Sequence, residues 1–324
     1  MSIIITGSAG FIGFHTAKRL IKSGEQVIGL DNFSNYYDTA LKEARWKMLE
    51  ESSNFTGIRS DISNLNSIKD IFSKYKPSIV IHMAAQAGVR KGYKNPQMYT
   101  SSNLVGMLNI LDCCRAANAD QLIFTSSSAV YGISEKLPFS EKDGTSMPLS
   151  IYAATKQSNE AMAYSFSNLY SIPITTLRLF TVYGPWGRPD MAIYNFISSI
   201  LNEKEILLYD EGKMKRDFTF IDDTIEGIIK SMNANTQTQS LSPPYNVFNI
   251  GAGRPIRIID LIEIIEKELN KKAKLKFEKS HFGEMKSTWS DITKIRNQTS
   301  YIPKTSLEDG IKIFVKWFKE YYQV

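Results

Sequence analysis

The chain has 324 residues, 43% of them hydrophobic and 22% charged, and a formal net charge of +6 with a pI near 9.0. That composition suits a globular chain with a full core, and the length suggests two domains. No apolar run approaches the roughly 20 residues that span a bilayer, and no basic stretch interleaved with aromatics marks a nucleic-acid binder, so neither partner is expected.

The N-terminus, Met1-Ser2-Ile3-Ile4-Ile5-Thr6, lacks the basic start and small-residue cleavage site of an export signal. Residues 2–6 read as a first buried strand, and 11–22 as an amphipathic helix stopped by Gly24. Strand 26–30 ends at Asp31, strand 54–59 leads to Asp61, and 68–74 is predicted helical. A short apolar strand covers 78–83. Residues 103–117 form a long predicted helix with Leu104, Leu108 and Leu111 on one face. Strand 121–126, helix 152–170 and strand 174–179 follow. Repeated strand–helix units predict an α/β fold, a doubly wound parallel sheet covered on both faces.

After Phe180 the rhythm breaks at a loop flanked by Pro185 and Pro189. Segments 218–232 and 245–250 are expected to return to the main sheet, and 233–244 is read as a polar surface loop without core-forming content. Residues 258–269 and 307–322 are predicted amphipathic helices. The densest basic cluster, Lys271-Lys272-Ala273-Lys274-Leu275-Lys276, alternates like a strand with one wet face. Cys113 and Cys114 are adjacent and make no disulfide framework; two reduced core thiols and a cytoplasmic location are expected. His15, His82 and His281 show no ligand spacing, so no metal site is expected.

Gly7-Ser8-Ala9-Gly10-Phe11-Ile12-Gly13 follows a predicted strand and opens a helix. Such a turn lets the backbone approach a pyrophosphate, while the helix N-terminus supplies amide donors and a favourable dipole. Asp31 stands eighteen residues past Gly13, at the end of the second strand. A carboxylate there can bind both ribose hydroxyls and repels a 2′-phosphate, which favours NAD over NADP. Asp61 either contacts the adenine or caps a helix at Asp61-Ile62-Ser63.

The second chemical segment is Tyr152-Ala153-Ala154-Thr155-Lys156. Tyrosine and lysine four residues apart share one helix face. A free tyrosine titrates near ~10, and lowering it by ~3 units takes ~4 kcal/mol of differential stabilisation. Lys156 and a positive nicotinamide ring are the expected sources. Ser126-Ser127-Ser128, at the end of a strand just upstream, supplies a hydroxyl for the proton path. Taken singly, each feature would pass for an ordinary helix face or turn; the three together read as alcohol oxidation by a dinucleotide.

The glycine turn, the serines before Val130-Tyr131-Gly132, and Y-A-A-T-K resemble the extended short-chain dehydrogenases/reductases. Within them, 31–38 (D-N-F-S-N-Y-Y-D), 83–90 (M-A-A-Q-A-G-V-R), 180–191 (F-T-V-Y-G-P-W-G-R-P-D-M) and 216–219 (R-D-F-T) are similar to UDP-glucuronate 4-epimerases. The resemblance runs from residue 3 to about 291, and 184–191 is its most specific piece. It implies a Rossmann-type NAD domain at 1–180, with 218–250 returning to it, and a smaller mixed α/β domain for a UDP-sugar at 181–217 and 251–324. It implies Tyr152 as acid/base, Lys156 as its electrostatic partner and Ser127 as the hydroxyl aligned with the substrate 4-OH.

By the same resemblance, the NAD contacts come from Gly7, Gly10, Phe11, Ile12, Gly13, Asp31, Asn32, Asp61 and Ile62, then from Ala84, Ala85, Asn103, Tyr152 and Lys156. Gln86, Arg90, Ser126, Ser128, Thr181, Arg188 and Arg216 fall to the substrate, with Arg216 on the diphosphate and Thr181 and Arg188 near the hexose. Arg188 is either a carboxylate clamp, or a loop cap or phosphate ligand. His281, just before Gly283-Glu284, departs from the phosphate or ribose ligand often found there. The expected reaction is C4 epimerisation through a 4-keto sugar with NAD retained. The sister 4,6-dehydratases carry Asp-Glu, and the uronate decarboxylases Glu, before Val-Tyr-Gly; Ser128-Ala129 here argues against both. Other UDP-hexose epimerases and a silent NAD-binding regulatory module are the remaining alternatives. A homodimer through the helices starting near Asn103 and Tyr152 is implied, with Met107 and Met162 either in its seam or in the core.

Overall fold

The computed structural model describes residues 2–88, 95–134, 136–145, 147–234, 238–278 and 287–324. Arg90 and His281 lie outside the described residues. The first half runs β1 (Ser2–Thr6), α1 (Phe11–Lys22), β2 (Gln26–Asp31), α2 (Ala40–Glu50), β3 (Phe55–Arg59), α3 (Leu65–Tyr75) and β4 (Ile79–His82). Next, α4 (Pro96–Tyr99) passes through a π-helical turn at Thr100–Val105 into α5 (Gly106–Ala116). Then come β5 (Gln121–Ser127), α6 (Ile151–Tyr170) and β6 (Ile174–Leu179). The rest holds β7 (Thr181–Tyr183), α7 (Ala192–Leu201), β8 (Glu205–Tyr209), β9 (Lys215–Phe220), α8 (Ile221–Asn233), β10 (Tyr245–Ile250) and β11 (Pro255–Arg257). Finally come α9 (Ile258–Leu269), β12 (Lys274–Glu278), α10 (Thr293–Thr299) and α11 (Leu307–Tyr322).

Seven parallel strands form the main sheet in the order β10-β6-β5-β4-β1-β2-β3. Strand alternation sends side chains to two different cores. Ile3 and Ile5 pack with α1 and α8, whereas Ile4 faces the core of α3, α5 and α6. Both faces are covered, which is why these strands read as continuous apolar runs. The chain reverses between β1 and β4, and ligands of such sheets bind beyond the strand ends at that point.

Some expectations shift. Segment 245–250 is the seventh strand of the main sheet, but β9 pairs with β7 and β11 in a separate three-stranded sheet, so of 218–232 only α8 packs back, against α1. Helix 103–117 begins earlier, and its π-helical turn shifts the phase of α5. Met107, Ile110 and Leu111 are buried while Leu108 is 45% exposed. Met107 is therefore core; Met162 packs partly buried against the same cluster. In the basic cluster only residues from Lys274 onward pair, with β8, and most of that strand is exposed on both faces. Segment 233–244 does contribute to the interior: Thr238 is buried, its Oγ1 3.4 Å from that of Thr175. Cys113 and Cys114 are free and buried.

The largest unforeseen element is α2, which buries Leu41, Lys42, Arg45, Trp46 and Leu49. Two of those five positions are cations, so no apolar stripe marks the helix in sequence.

Candidate active site

A cleft of about 1130 Å³ opens at the carboxyl ends of the main-sheet strands. At its floor the β1–α1 turn reverses at Gly7, whose φ of +74° is a conformation side chains rarely adopt. A Cβ at Gly7 would lie 2.8 Å from the Ala84 amide nitrogen, and one at Gly13 would collide with the Gly7 carbonyl. The turn is thus packed directly on β4 and its own helix, with Gly10, Phe11, Ile12 and Gly13 lining the cleft. This is a backbone cradle of the kind that admits a pyrophosphate.

Asp31 lines the same cleft and already holds two segments in place. Its Oδ2 accepts from the Ala9 amide at 3.1 Å, and its Oδ1 from the Phe33 amide at 2.8 Å. Lys42 from α2, itself buried, stands 3.6 Å from Oδ1. One carboxylate therefore sets the turn and the next loop while lining the cleft. Asn32 donates to Asp61 Oδ2 at 2.8 Å, and Ser63 donates twice to Oδ1. Burial pushes the Asp61 carboxyl up, but these hydrogen bonds win and hold it below the usual range. It does not cap α3: that cap is Asn64, which accepts from the Ser67 amide. Asn32, Asp61 and Ile62 all face the cleft.

Beyond β4, Thr6 Oγ1 accepts from the Met83 and Ala84 amides, each at 3.1 Å, and meets His82 Nδ1 at 2.7 Å. Burial lowers His82 to about 3, so the imidazole is neutral. Ala84, Ala85 and Gln86 form the cleft wall. Asn103 does not line the cleft. Its amide exchanges hydrogen bonds with the Gln86 backbone at 2.7 and 3.1 Å and donates to Thr155 Oγ1 at 2.9 Å. It braces the 84–86 wall against α6, one turn from the tyrosine and lysine.

Ser150 caps α6 by accepting from the Ala153 amide at 3.1 Å, and Tyr152 and Lys156 leave the first two turns toward the cleft. Lys156 is 2% exposed and donates to the Thr125 carbonyl at 2.7 Å. The three serines diverge. Ser126 turns its hydroxyl into the interior, donating to Glu160 Oε1 at 2.6 Å, where Glu160 holds Arg178 in a buried two-pronged pair. Ser127 Oγ accepts from the Ala129 amide at 3.2 Å and lines the cleft together with Tyr152. Ser128 faces the cleft. So of the expected substrate residues, Ser126 has its hydroxyl spent behind the wall.

Burial raises the Tyr152 phenol, opposed by the Ser127 hydrogen bond and the Arg188 charge. In the protein alone burial dominates, and the charge that lowers the phenol comes from Arg188 rather than from the expected Lys156. Burial lowers Lys156 to about 8, and the Glu160 charge works the other way. The active ammonium is therefore present below about 8 and lost above it. We expect kcat/KM, which reports the free enzyme, to decline above that pH. Glu160→Gln removes the charge that raises Lys156, so the decline should start at lower pH. A pH–rate profile with an unmoved alkaline limb would contradict this coupling.

Elsewhere in the cleft, Thr181 opens β7 and Arg216 lies on β9, both lining it. Arg188 follows the Gly184–Gly187 loop. Its Nε and Nη2 donate to Asp190 at 3.0 and 2.6 Å, and its guanidinium carbon lies 5.4 Å from the Tyr36 ring centre. Burial, then the Asp190 charge, push Tyr36 up to about 12. The expected carboxylate clamp thus has one edge already engaged within the chain. Lys42, Tyr36 and Asp190 are cleft residues to which the sequence reading gave no role; the first sits on the unrecognised α2, and the other two lie inside the recognised segments 31–38 and 180–191.

Residues 4–314 match the family described as GDP-mannose 4,6 dehydratase. Protein CapI of Staphylococcus aureus is 43% identical over all of both chains. UDP-glucuronate 4-epimerase 1 of Arabidopsis thaliana is 42% identical over 99% of this chain and 77% of its own. The crystal structure of UDP-glucuronic acid 4-epimerase from Bacillus cereus, in complex with UDP-glucuronic acid and NAD, superposes with a TM-score of 0.92. It is 36% identical, over 99% of this chain and 100% of that one. With the glycine cradle and the tyrosine–lysine helix in one cleft, the chain belongs to the GDP-mannose 4,6-dehydratase family, and within it to the UDP-glucuronate 4-epimerases.

Proposed function

We propose that the cleft epimerises a UDP-uronic acid at C4, converting UDP-glucuronate to UDP-galacturonate with NAD retained. The observation that carries this is that Tyr152, Ser127 and, one turn on, Lys156 line the same cleft as the glycine turn. The relatives named for this reaction match essentially the whole chain.

The residues present fit the cofactor. A Cβ at Gly7, Gly10 or Gly13 would collide with the backbone of the turn or of Ala84, and Asp31, Lys156 and Tyr152 line the same cleft, where they would meet the ribose and nicotinamide of a bound dinucleotide. NAD bound there would supply the hydride acceptor for the sugar C4 and the donor for its return to the opposite face. Tyr152 Oη removes the 4-OH proton as the ketone forms and gives it back as the alcohol re-forms. Ser127 orients that hydroxyl, and Lys156 stabilises the phenolate. Ala129 carries no proton, so a step at C5 or C6 has no acid or base at that position.

A 4-keto uronate is a β-keto acid. When its C5–C6 bond aligns with the ketone, that bond breaks, its electron pair enters the carbonyl as an enolate, and carbon dioxide leaves. The enzyme must hold the carboxylate out of this alignment, and we assign that task to Arg188. Thr181 lies with it at the hexose, Arg216 takes the diphosphate, and Gln86 and Ser128 complete the wall. The test is incubation with UDP-glucuronate and separation of the products. UDP-galacturonate without stoichiometric loss of free NAD is expected; UDP-pentose as the main product, or net NADH, would refute the reading.

We divide the chain into a cofactor unit, residues 1–180 with α8 and β10, and a substrate unit from the remainder. A cytoplasmic location suits the two buried free thiols and a nucleotide cofactor, with recovery in the soluble cell fraction as its check. Among the described residues no helix is long and apolar enough to cross a membrane and no metal-binding cluster occurs.

A homodimer accounts for Val105 and Leu108 at 43% and 45% exposure on one helical run and for Tyr164, Leu169 and Tyr170 on α6. Light scattering should give about twice the 36.7 kDa chain mass, falling toward one chain in Leu108→Asp. A wild-type monomer at micromolar concentration would refute it.

A further inference from the structure

Arg45 of α2 is completely buried, yet among the described residues it has no carboxylate partner. It spends its guanidinium on loops. Nη1 donates to the Ala9 carbonyl at 3.0 Å, inside the glycine turn, and to Tyr37 Oη at 2.8 Å. Nη2 donates to the Trp186 carbonyl at 2.6 Å and, more weakly, to that of Gly187 at 3.5 Å. Nε has no partner. A buried cation without a counter-charge is costly to maintain, and a core helix would normally carry leucine there.

The loop it reaches is held from other sides as well. His15 on α1 meets the Pro185 carbonyl at 3.0 Å, and burial lowers the ring to about 4, so a neutral imidazole makes that contact. Trp186 has a φ of +63°, a strained conformation for a large side chain. Its indole lies among Phe14, Trp317 and Tyr321, with ring centres 6.0, 5.4 and 5.0 Å away. Three successive carbonyls, Pro185, Trp186 and Gly187, are thus gripped from the cofactor unit, directly before Arg188. Strain of this kind persists only where surrounding contacts over-determine it.

We propose that Arg45 is a positioning residue that ties the cofactor turn to the loop carrying Arg188, so that the uronate clamp is registered against the dinucleotide rather than against its own domain alone. The planar fork matters. It reaches Ala9 and Trp186 with different nitrogens held in one rigid plane, which an ammonium on a flexible stem cannot reproduce. A small misplacement of a group that orients substrate can cost 10²-fold in rate. Here the sign of misplacement is chemical: a slack Arg188 lets the carboxylate of the keto sugar reach the aligned geometry.

The proposal rests on the uronate reading above, and one assay separates the two. Wild-type enzyme is first shown to convert UDP-glucuronate to UDP-galacturonate; if it does not, the functional reading fails and this proposal with it. Arg45→Met and Arg45→Lys are then compared at saturating substrate, with folding followed by thermal unfolding. In Arg45→Met we expect kcat for UDP-galacturonate to fall tenfold or more, and the UDP-pentose share of product to rise tenfold or more. Arg45→Lys should lie between this variant and wild type. A folded variant with lower Tm but wild-type kcat and product ratio shows a purely structural brace and overturns the proposal. If Arg45→Met does not fold, Arg45→Lys decides by the same two numbers. If neither folds, Arg45 is a general core residue and the proposal is overturned.

Discussion

Tyr152→Phe is expected to lower turnover of UDP-glucuronate by about 10²–10⁴-fold, the range that one acid/base group contributes, while bound NAD and the KM for substrate change little. The phenol oxygen is the only atom removed, so packing at the first turn of α6 survives. Burial raises this phenol in the protein alone. Without cofactor the residue is therefore protonated, and we expect the positive charge of bound NAD to favour the phenolate. Lys156→Met should also cost rate with Tyr152 intact, because its ammonium, held down to about 8 by burial, lines the same cleft one turn from the phenol. Ser127→Ala should cost less than either. Steady-state kinetics with measured NAD content decides: a Tyr152→Phe enzyme with full cofactor and more than a tenth of wild-type kcat would remove the phenol from the mechanism.

The parts of this site legible in the sequence are those where chemistry and local geometry share a short segment. The glycine turn must be glycine because Gly7 sits on the Ala84 backbone and Gly13 on the Gly7 carbonyl. Tyr152 and Lys156 share a face because they are four apart on a helix. The parallel sheet follows from apolar runs that feed both cores at once, as at Ile3, Ile4 and Ile5. What was hidden depends on partners distant in sequence. Lys42 and Arg45 are buried charges on α2, and they erased the apolar stripe that would have announced the helix. Ser126 looked equivalent to Ser127 until Glu160, 34 residues away, claimed its hydroxyl. Asn103 reads as a ligand, but its amide is engaged by the Gln86 backbone and Thr155, partners 17 and 52 residues away. Strand β9 opens on Lys215, Arg216 and Asp217 before Phe218, and it pairs with β7 and β11 rather than joining the main sheet.

Arg188→Ala should raise the KM for UDP-glucuronate by roughly 10- to 100-fold, on the scale of a charge-assisted hydrogen bond worth about 1.5–3 kcal/mol, and should let UDP-pentose appear among the products. The direction follows from how the guanidinium is used. Its Nε–Nη2 edge is held by Asp190, which leaves the Nη1 edge for the substrate. A guanidinium has enough donors to serve two carboxylates at once, and its planar fork then fixes the second relative to the first. Asp190 is thus the reference point of the clamp, and Tyr36, whose hydroxyl burial and the Asp190 charge keep protonated, packs beside both. Deleting Asp190 as Asp190→Asn should therefore leave the positive charge in place, with a modest change in KM, but loosen the angle at which it holds the substrate. The two variants differ in readout: Arg188→Ala acts on binding and product together, Asp190→Asn mainly on the pentose share. Separation of UDP-sugars after single turnovers measures both. If Arg188→Ala kept wild-type KM and made no pentose, the carboxylate would have to be held by the backbone and hydroxyls of the opposite wall, and the guanidinium would be no more than the cap of its own loop.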